Sequence, residues 1–189
     1  YASPKTGKLC GVCSLQVDDW ILVGNSEMME ACKSEVCSKV KMGDEQSGTF
    51  RHCGVNIKEG PRGIEVDQSH FVQGMERVKL GTCKGGVVSE DVIKQAQTLY
   101  GTLCWVAIST HPHMMARVSM LGAHMKAPNE AWVREINNTL TQMQAEEGSL
   151  HYTFDKMVRP VFVGESDGAL ANLPSGGSQG GLVVSMRDM

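Results

Sequence analysis

Apolar and polar positions near the start of the chain predict a β-hairpin. Residues 9–15 and 20–24 read as two strands, with Val17, Asp18 and Asp19 at the turn between them. In the first stretch both alternating sets of positions are largely apolar, which is typical of a strand buried on both faces. We therefore expect a buried hairpin that carries two adjacent acids at its tip.

A helix is predicted to follow this hairpin. Ser26 is a good N-cap, acids follow in the first turn, and Gly43 is suited to end the helix. The apolar residues at helical spacing are Met29, Cys32, Val36 and Val40. They predict one buried helical face.

The next pattern predicts two strands and a short helix. Residues 49–57 and 63–66 read as strands joined by the turn KEGPRG. A short helix near Asp67 would place Phe71, Met75 and Val78 on one face.

Three helices are predicted after a glycine-rich break at residues 81–88. They span Ser89 to about Ser109, about 114–126 and about 130–145. The apolar positions that recur at helical spacing in the first and third helices are Val92, Ala96, Leu99, Leu103, Val106, Trp132, Ile136, Leu140 and Met143. Such stripes indicate a shared hydrophobic core.

The end of the chain predicts another hairpin. A strand at 159–170, a turn at 173–181 and a strand at 182–186 follow the helices. The order of the elements is thus hairpin, helix, hairpin, then helices, then a second hairpin, and we predict an α+β fold.

Composition narrows the class of protein. The 189 residues are 41% hydrophobic and 21% charged, which is typical of a globular chain. A formal charge of −3 gives no global attraction to nucleic acid, so any such contact needs a local basic patch. Lys79, Lys84 and Lys94 are candidates for such a patch, and a solvated charged face is the alternative. We expect no membrane span and no signal peptide.

Cysteine usage favours a reducing compartment, in the cytoplasm or the nucleus. The seven cysteines are odd in number, and several lie within apolar segments, as reduced core cysteines do. Cys10, Cys13, Cys32 and Cys37 also have a spacing close to that of a zinc ribbon, which leaves a zinc-binding module as an alternative.

The histidines offer weaker candidates for chemistry. His111, His113 and His124 have donors for a metal or a general base, but no partnered acid lies at a useful spacing. We therefore expect surface histidines.

The adjacent acids Asp18 and Asp19 are the strongest candidate site. Two unpaired buried carboxylates are costly, so they either face water at a turn or bind a metal. Acids projecting from a tight turn suit Mg²⁺, which prefers one or two carboxylates together with phosphate oxygens.

A series of motifs around these acids resembles the copia-type retrotransposon Pol polyprotein, from the end of its reverse transcriptase into its ribonuclease H. The segments that carry the resemblance are QVDDWILVGN, FRHCGVNI, GIEVDQSHF, LYGTLCWVAISTHPHM and SDGALANLPSGGSQGG. The resemblance covers nearly the whole chain. It implies a partial polymerase palm at 1–80, a helical thumb or connection at 81–158 and a truncated ribonuclease H-like start at 159–189.

The resemblance also assigns roles to residues. Asp18 and Asp19 match the palm's metal-binding pair, and Asp167 matches the first metal ligand of ribonuclease H. Gln68 and Phe71 match the family's glutamine and aromatic positions. The intact parent would use two Mg²⁺ ions, with an RNA template and an RNA–DNA hybrid as partners.

Departures from the family pattern bear on activity. Gln16 replaces the usual tyrosine, and His111 and His113 stand where the family has arginine and aspartate. Residues 1–17 contain no acid, and beyond Asp167 only Asp188 remains. We therefore expect this chain alone to lack polymerase and nuclease activity. The alternative is a non-catalytic module that binds nucleic acid or a partner chain.

Overall fold

The protein is a mixed α+β chain with antiparallel sheets and five α-helices among its described residues. This confirms the predicted α+β class. The computed structural model describes residues 2–3, 5–16, 19–81, 88–146, 148–153, 160–169 and 176–188. The chain divides into two compact units, Tyr1–His52 and Cys53–Met189. None of the helices in the described ranges is both long and apolar enough to cross a membrane.

The first unit is built around a hairpin and one helix. Its elements are β1 (Gly11–Gln16), β2 (Asp19–Gly24), α1 (Ser26–Val36) and β3 (Thr49–His52). The N-cap of α1 is Asn25, whose Oδ1 accepts a hydrogen bond from the Met28 amide at 3.0 Å. The cap thus lies one residue before the predicted Ser26, and the helix ends well before Gly43.

The prediction that β1 is buried on both faces is wrong. Val12 and Leu15 are each 58% exposed. Gly11 pairs with Gly24, and Met28 of α1 packs against both glycines; a Cβ on Gly24 would lie 2.8 Å from the Met28 Sδ. A strand side chain is buried only where another element covers it, and in this unit α1 covers the glycine end of the hairpin.

The second unit begins with a twisted turn and a sheet. Cys53 and Gly54 take left-handed φ values of 47° and 76°, so the single strand predicted for 49–57 is in fact two. Any Cβ on Gly54 would lie 2.7 Å from the Trp105 ring, which explains why glycine stands there. The strands after this turn are β4 (Val55–Gly60), β5 (Gly63–Asp67) and β6 (Ser149–Thr153).

The strand β5 lies between β4 and β6, and both neighbours run antiparallel to it. Ile57, Val66 and Leu150 are in register on one face, whereas Lys58, Glu65 and His151 are in register on the other. One face of the sheet is therefore apolar and the other polar. The sequence patterns did not predict β6.

Helices supply the hydrophobic core of the second unit. They are α2 (Ser69–Gln73), α3 (Glu90–Ser109), α4 (Met115–Gly122) and α5 (Glu130–Ala145), with a 3₁₀ turn at Pro112–Met114. The predicted stripes are confirmed, since the buried core includes Ala96, Leu99, Leu103, Val106, Trp132, Ile136, Leu140 and Met143. Met75 and Val78 reach the same core although α2 ends before them.

Polar side chains of α5 fix the segment that follows α2. Asn137 accepts a hydrogen bond from the Val78 amide and donates one to the Val78 carbonyl, both at 2.9 Å. Gln144 Nε2 donates to the carbonyls of Val72 and Met75. The bonds to Val78 and Met75 give partners to backbone groups outside the helices and strands, so an irregular segment can lie against the core.

The last two strands, β7 (Pro160–Ala169) and β8 (Gln179–Asp188), form the predicted C-terminal hairpin. The start of β8 lies three residues before the predicted Leu182. Glu165 and Arg187 form an ion pair at 3.1 Å on one face. Phe162, Leu182 and Val184 lie on the opposite face, where Phe162 is 80% exposed.

Candidate functional site

Asp19 is the first residue of β2, directly at the hairpin turn. It pairs with Gln16 across the hairpin and its side chain is exposed. Asp18 and Val17 lie outside the described residues. The structure therefore places one of the two predicted carboxylates where a hairpin tip presents it to solvent.

The first unit also brings His52 to this carboxylate. A carboxylate oxygen of Asp19 and a ring nitrogen of His52 lie within 4.8 Å of each other. Mg²⁺ prefers a set of oxygen ligands, and an imidazole suits zinc, copper, iron or nickel better. Asp19 and His52 together are therefore not the set of oxygen ligands that Mg²⁺ prefers.

Asp167 lies within β7, opposite Gly181 of β8, and is exposed. Its Oδ1 accepts a hydrogen bond from the Gly168 amide at 2.9 Å. Asp188 pairs with Pro160 at the far end of the hairpin, seven residues beyond Gly181. At about 3.3 Å per residue the two acids stand about 23 Å apart along the strand, too far to share a metal ion.

The four cysteines of the zinc alternative are not gathered into a site. Among the described residues, which include all four, no three of these thiols come within 4.8 Å of one another. Burial raises the pKa of the Cys32 thiol, and the nearby Cys13 and Cys37 raise it further. Because the thiols are not gathered into a tetrahedral set, the structure gives the zinc alternative no support.

A buried polar cluster lies in the second unit, where Gln68, Thr110 and His111 are each almost fully enclosed. Thr110 Oγ1 donates to Gln68 Oε1 at 2.9 Å and lies 2.9 Å from His111 Nδ1. The expectation of a surface histidine is therefore wrong for His111. The backbone of Gly148 lies against its ring, a contact that no sequence pattern predicted.

A second correction concerns His113. Its Nε2 lies 2.6 Å from Glu146 Oε2, so a partnered acid exists although 33 positions separate the two residues. Hydrogen bonds from Gln142 and then from His113 lower the pKa of Glu146. Burial, and then His113, lowers the pKa of His111, while Glu146 raises it.

The basic patch predicted from Lys79, Lys84 and Lys94 has two described members. Lys79 and Lys94 are exposed, and Lys84 lies outside the described residues. Glu90 and Asp91 occupy the first turn of α3, close in sequence to Lys94. Residues 88–146 carry four basic and five acidic side chains, so the helical layer offers no net positive charge to a phosphate backbone.

Comparison with protein-family models, with curated proteins and with solved structures finds no match for this chain. The fold and its candidate sites define a mixed α+β protein with an exposed aspartate on each of two hairpins.

Proposed function

We propose that this chain is a piece of a copia-type retrotransposon Pol polyprotein, comprising the rear of a reverse transcriptase palm, a helical thumb or connection and the start of ribonuclease H. The observation that carries the proposal is the hairpin of β1 and β2, which holds Asp19 exposed at its turn. An exposed acid at a hairpin tip is what the palm's metal-binding pair requires.

The packing around this hairpin supports the same proposal. Met28 of α1 contacts the end of the hairpin where Gly11 pairs with Gly24. Asp19 and Gln16 pair at the opposite end. The helix therefore packs on one end of the hairpin, and Asp19 at the other end is exposed.

In the intact parent, Asp18 and Asp19 would hold the palm metals and Asp167 would hold metal for cleavage of RNA in a hybrid. Two bound Mg²⁺ ions would supply charge neutralisation at the attacking and leaving oxygens of the phosphoryl transfer. The role of this chain would be to position the metal ions. Because Asp19 is exposed to solvent, its carboxylate can bind a metal without first breaking a buried ion pair.

The isolated chain is expected to be inactive. Residues 1–17 hold no acid, and the separation of Asp167 from Asp188 keeps them from forming a joint site. A lone carboxylate binds Mg²⁺ weakly because the ion dehydrates reluctantly.

Primer extension tests the polymerase assignment. The purified chain should not extend a primer on an RNA template. A fusion that restores an upstream palm segment with a further aspartate should do so with Mg²⁺. Asp19→Asn should then reduce extension by at least about a hundredfold, since it removes a metal ligand.

The matched control is Asp44→Asn, an exposed acid in the same unit, which should leave extension unchanged. Equal rates for the fusion and its Asp19→Asn form would refute the assignment.

A non-catalytic interaction module is the second candidate. The observation that favours it is the exposed apolar face of the C-terminal hairpin, with Phe162, Leu182 and Val184 in water. Such a module could bind either nucleic acid or a partner chain. Fluorescence anisotropy with an RNA–DNA hybrid at increasing salt concentrations distinguishes the two. Binding that weakens steeply as salt rises indicates phosphate contacts, and an absence of binding favours a protein partner.

A further inference from the structure

The buried cluster of Gln68, Thr110 and His111 is linked by hydrogen bonds. Thr110 Oγ1 donates to Gln68 Oε1 and lies 2.9 Å from His111 Nδ1. A neutral imidazole has one nitrogen that donates and one that accepts, whereas an imidazolium donates from both. Protonation of His111 therefore adds a charge and a further donor to an enclosed site.

The His111 Nε2 faces the backbone of Gly148. A Cβ on Gly148 would overlap the imidazole ring, so the chain lies directly on it and glycine is required there. The next residue, Ser149, begins β6. The ring is therefore enclosed by the segment that leads into this strand.

Among the described strands, β6 lies at the end of its sheet and pairs with β5. His151, Tyr152 and Thr153 of this strand are exposed. An edge strand with one partner and an exposed outer half costs less to detach than a central strand does.

Protonation of His111 would be costly in this setting. The described groups that face the ring are Thr110 of the α3 cap, Gln68 before α2, Gly148 before β6, His113 of the 3₁₀ turn and Glu146 after α5. Glu146 would attract the new charge, but it already accepts hydrogen bonds from His113 and Gln142. A charged His113 would repel it, and the ring has almost no contact with water.

We propose that this cluster is an acid-sensitive latch, in which a neutral His111 holds β6 onto the second unit and a protonated His111 releases it. Release lets water reach the imidazolium through movement of Gly148 and the strand after it. It also uncovers the hydrogen-bonding edge of β5, which can then pair with another extended segment. This inference does not depend on the proposed polymerase parentage.

The direction of the pH effect follows from the lowered pKa of His111. With β6 attached, the neutral form of His111 is favoured. The stability that His111 gives to the attached strand is therefore fully present above the ordinary pKa of 6.5. It is lost as the pH falls toward the lower pKa of the attached state. Within that window the opening constant should rise by up to about tenfold per pH unit.

Hydrogen exchange of the full chain tests the latch. After correction for the intrinsic exchange rate, protection of the β6 amides should fall several-fold between pH 7 and 5. The amides from Ile136 to Met143 in α5 should keep their protection. The variant His111→Asn retains a hydrogen-bond donor but cannot become charged. It should remove most of the pH dependence of β6 protection. His124→Asn, a change at an exposed histidine, should leave it unaltered.

Unchanged β6 protection between pH 7 and 5 in the wild-type chain would overturn the proposal. A pH dependence of β6 protection in His111→Asn as steep as in the wild type would overturn it too. If that variant does not fold, an NMR titration of the wild-type histidine rings decides the matter. A His111 that titrates at or above 6.5 without any change in the β6 resonances excludes a latch. One that titrates below 6.5 together with those resonances supports it.

Discussion

The side-chain amide of Asn137 pairs with the backbone of Val78 in both directions, each hydrogen bond being 2.9 Å long. The amide takes the place that a neighbouring strand would occupy. It ties α5 to a segment 59 positions earlier in the chain, and this segment has no regular structure of its own.

Replacing Asn137 should therefore destabilise the second unit. Asn137→Ala leaves the amide and carbonyl of Val78 without these partners, which should lower the free energy of unfolding by about 1–3 kcal/mol. Urea denaturation measures the change. Asn138→Ala, at an exposed neighbour on the same helix, is the control and should cost much less. Equal losses in the two variants would contradict the pairing.

The side chains of α3 that lie in the hydrophobic core should not tolerate truncation. Leu103 is 0% exposed, so Leu103→Ala should cost about 2–5 kcal/mol through lost burial and a residual cavity. Ile108 on the same helix is 69% exposed, and Ile108→Ala should change stability by less than about 0.5 kcal/mol. Thermal or urea unfolding followed by circular dichroism compares them. Similar midpoints for the two variants would show that the α3 stripe is not core.

The ion pair of His113 and Glu146 should contribute little to the free energy of unfolding. Both side chains are substantially exposed, so Glu146→Gln should cost less than about 1 kcal/mol at pH 7. The pKa of Glu146 is lowered, so its contribution is present above its ordinary value of 4.5 and is lost as pH falls through the lower folded value. The difference between variant and wild type in the free energy of unfolding should therefore be smaller at pH 3 than at pH 7. A difference that grows as the pH falls would contradict the assigned carboxylate partners.

Zinc should not bind stoichiometrically. After removal of metal, addition of zinc and dialysis, metal analysis should find well below one zinc per chain, because no three of the four thiols lie within 4.8 Å of one another. Cys10→Ser should leave that content unchanged. Stoichiometric zinc that is lost in Cys10→Ser but retained in Cys104→Ser, outside the quartet, would reinstate the zinc module.

Local patterns predicted most of the regular elements. The helix over 130–145 has the predicted bounds, and α3 begins one residue after its predicted Ser89, which is the N-cap. Both succeed because a stripe at helical spacing and a capping side chain are properties of neighbouring residues. The hairpin ending at Gly24 and its exposed Asp19 follow from the same kind of local signal. The metal-binding roles of Asp18, Asp19 and Asp167, and the three-part domain division, stay predictions.

The sequence by itself determined which segments become helices and hairpins, and where an acid meets a turn. Only the tertiary structure decided which of them are covered: β1 is exposed where a buried strand was expected, and His111 is buried where a surface residue was expected. The reason is physical. Periodicity reports the preference of a segment for having one apolar face, but burial depends on which distant segment reaches it. For His111 that segment is the backbone of Gly148, 37 positions away.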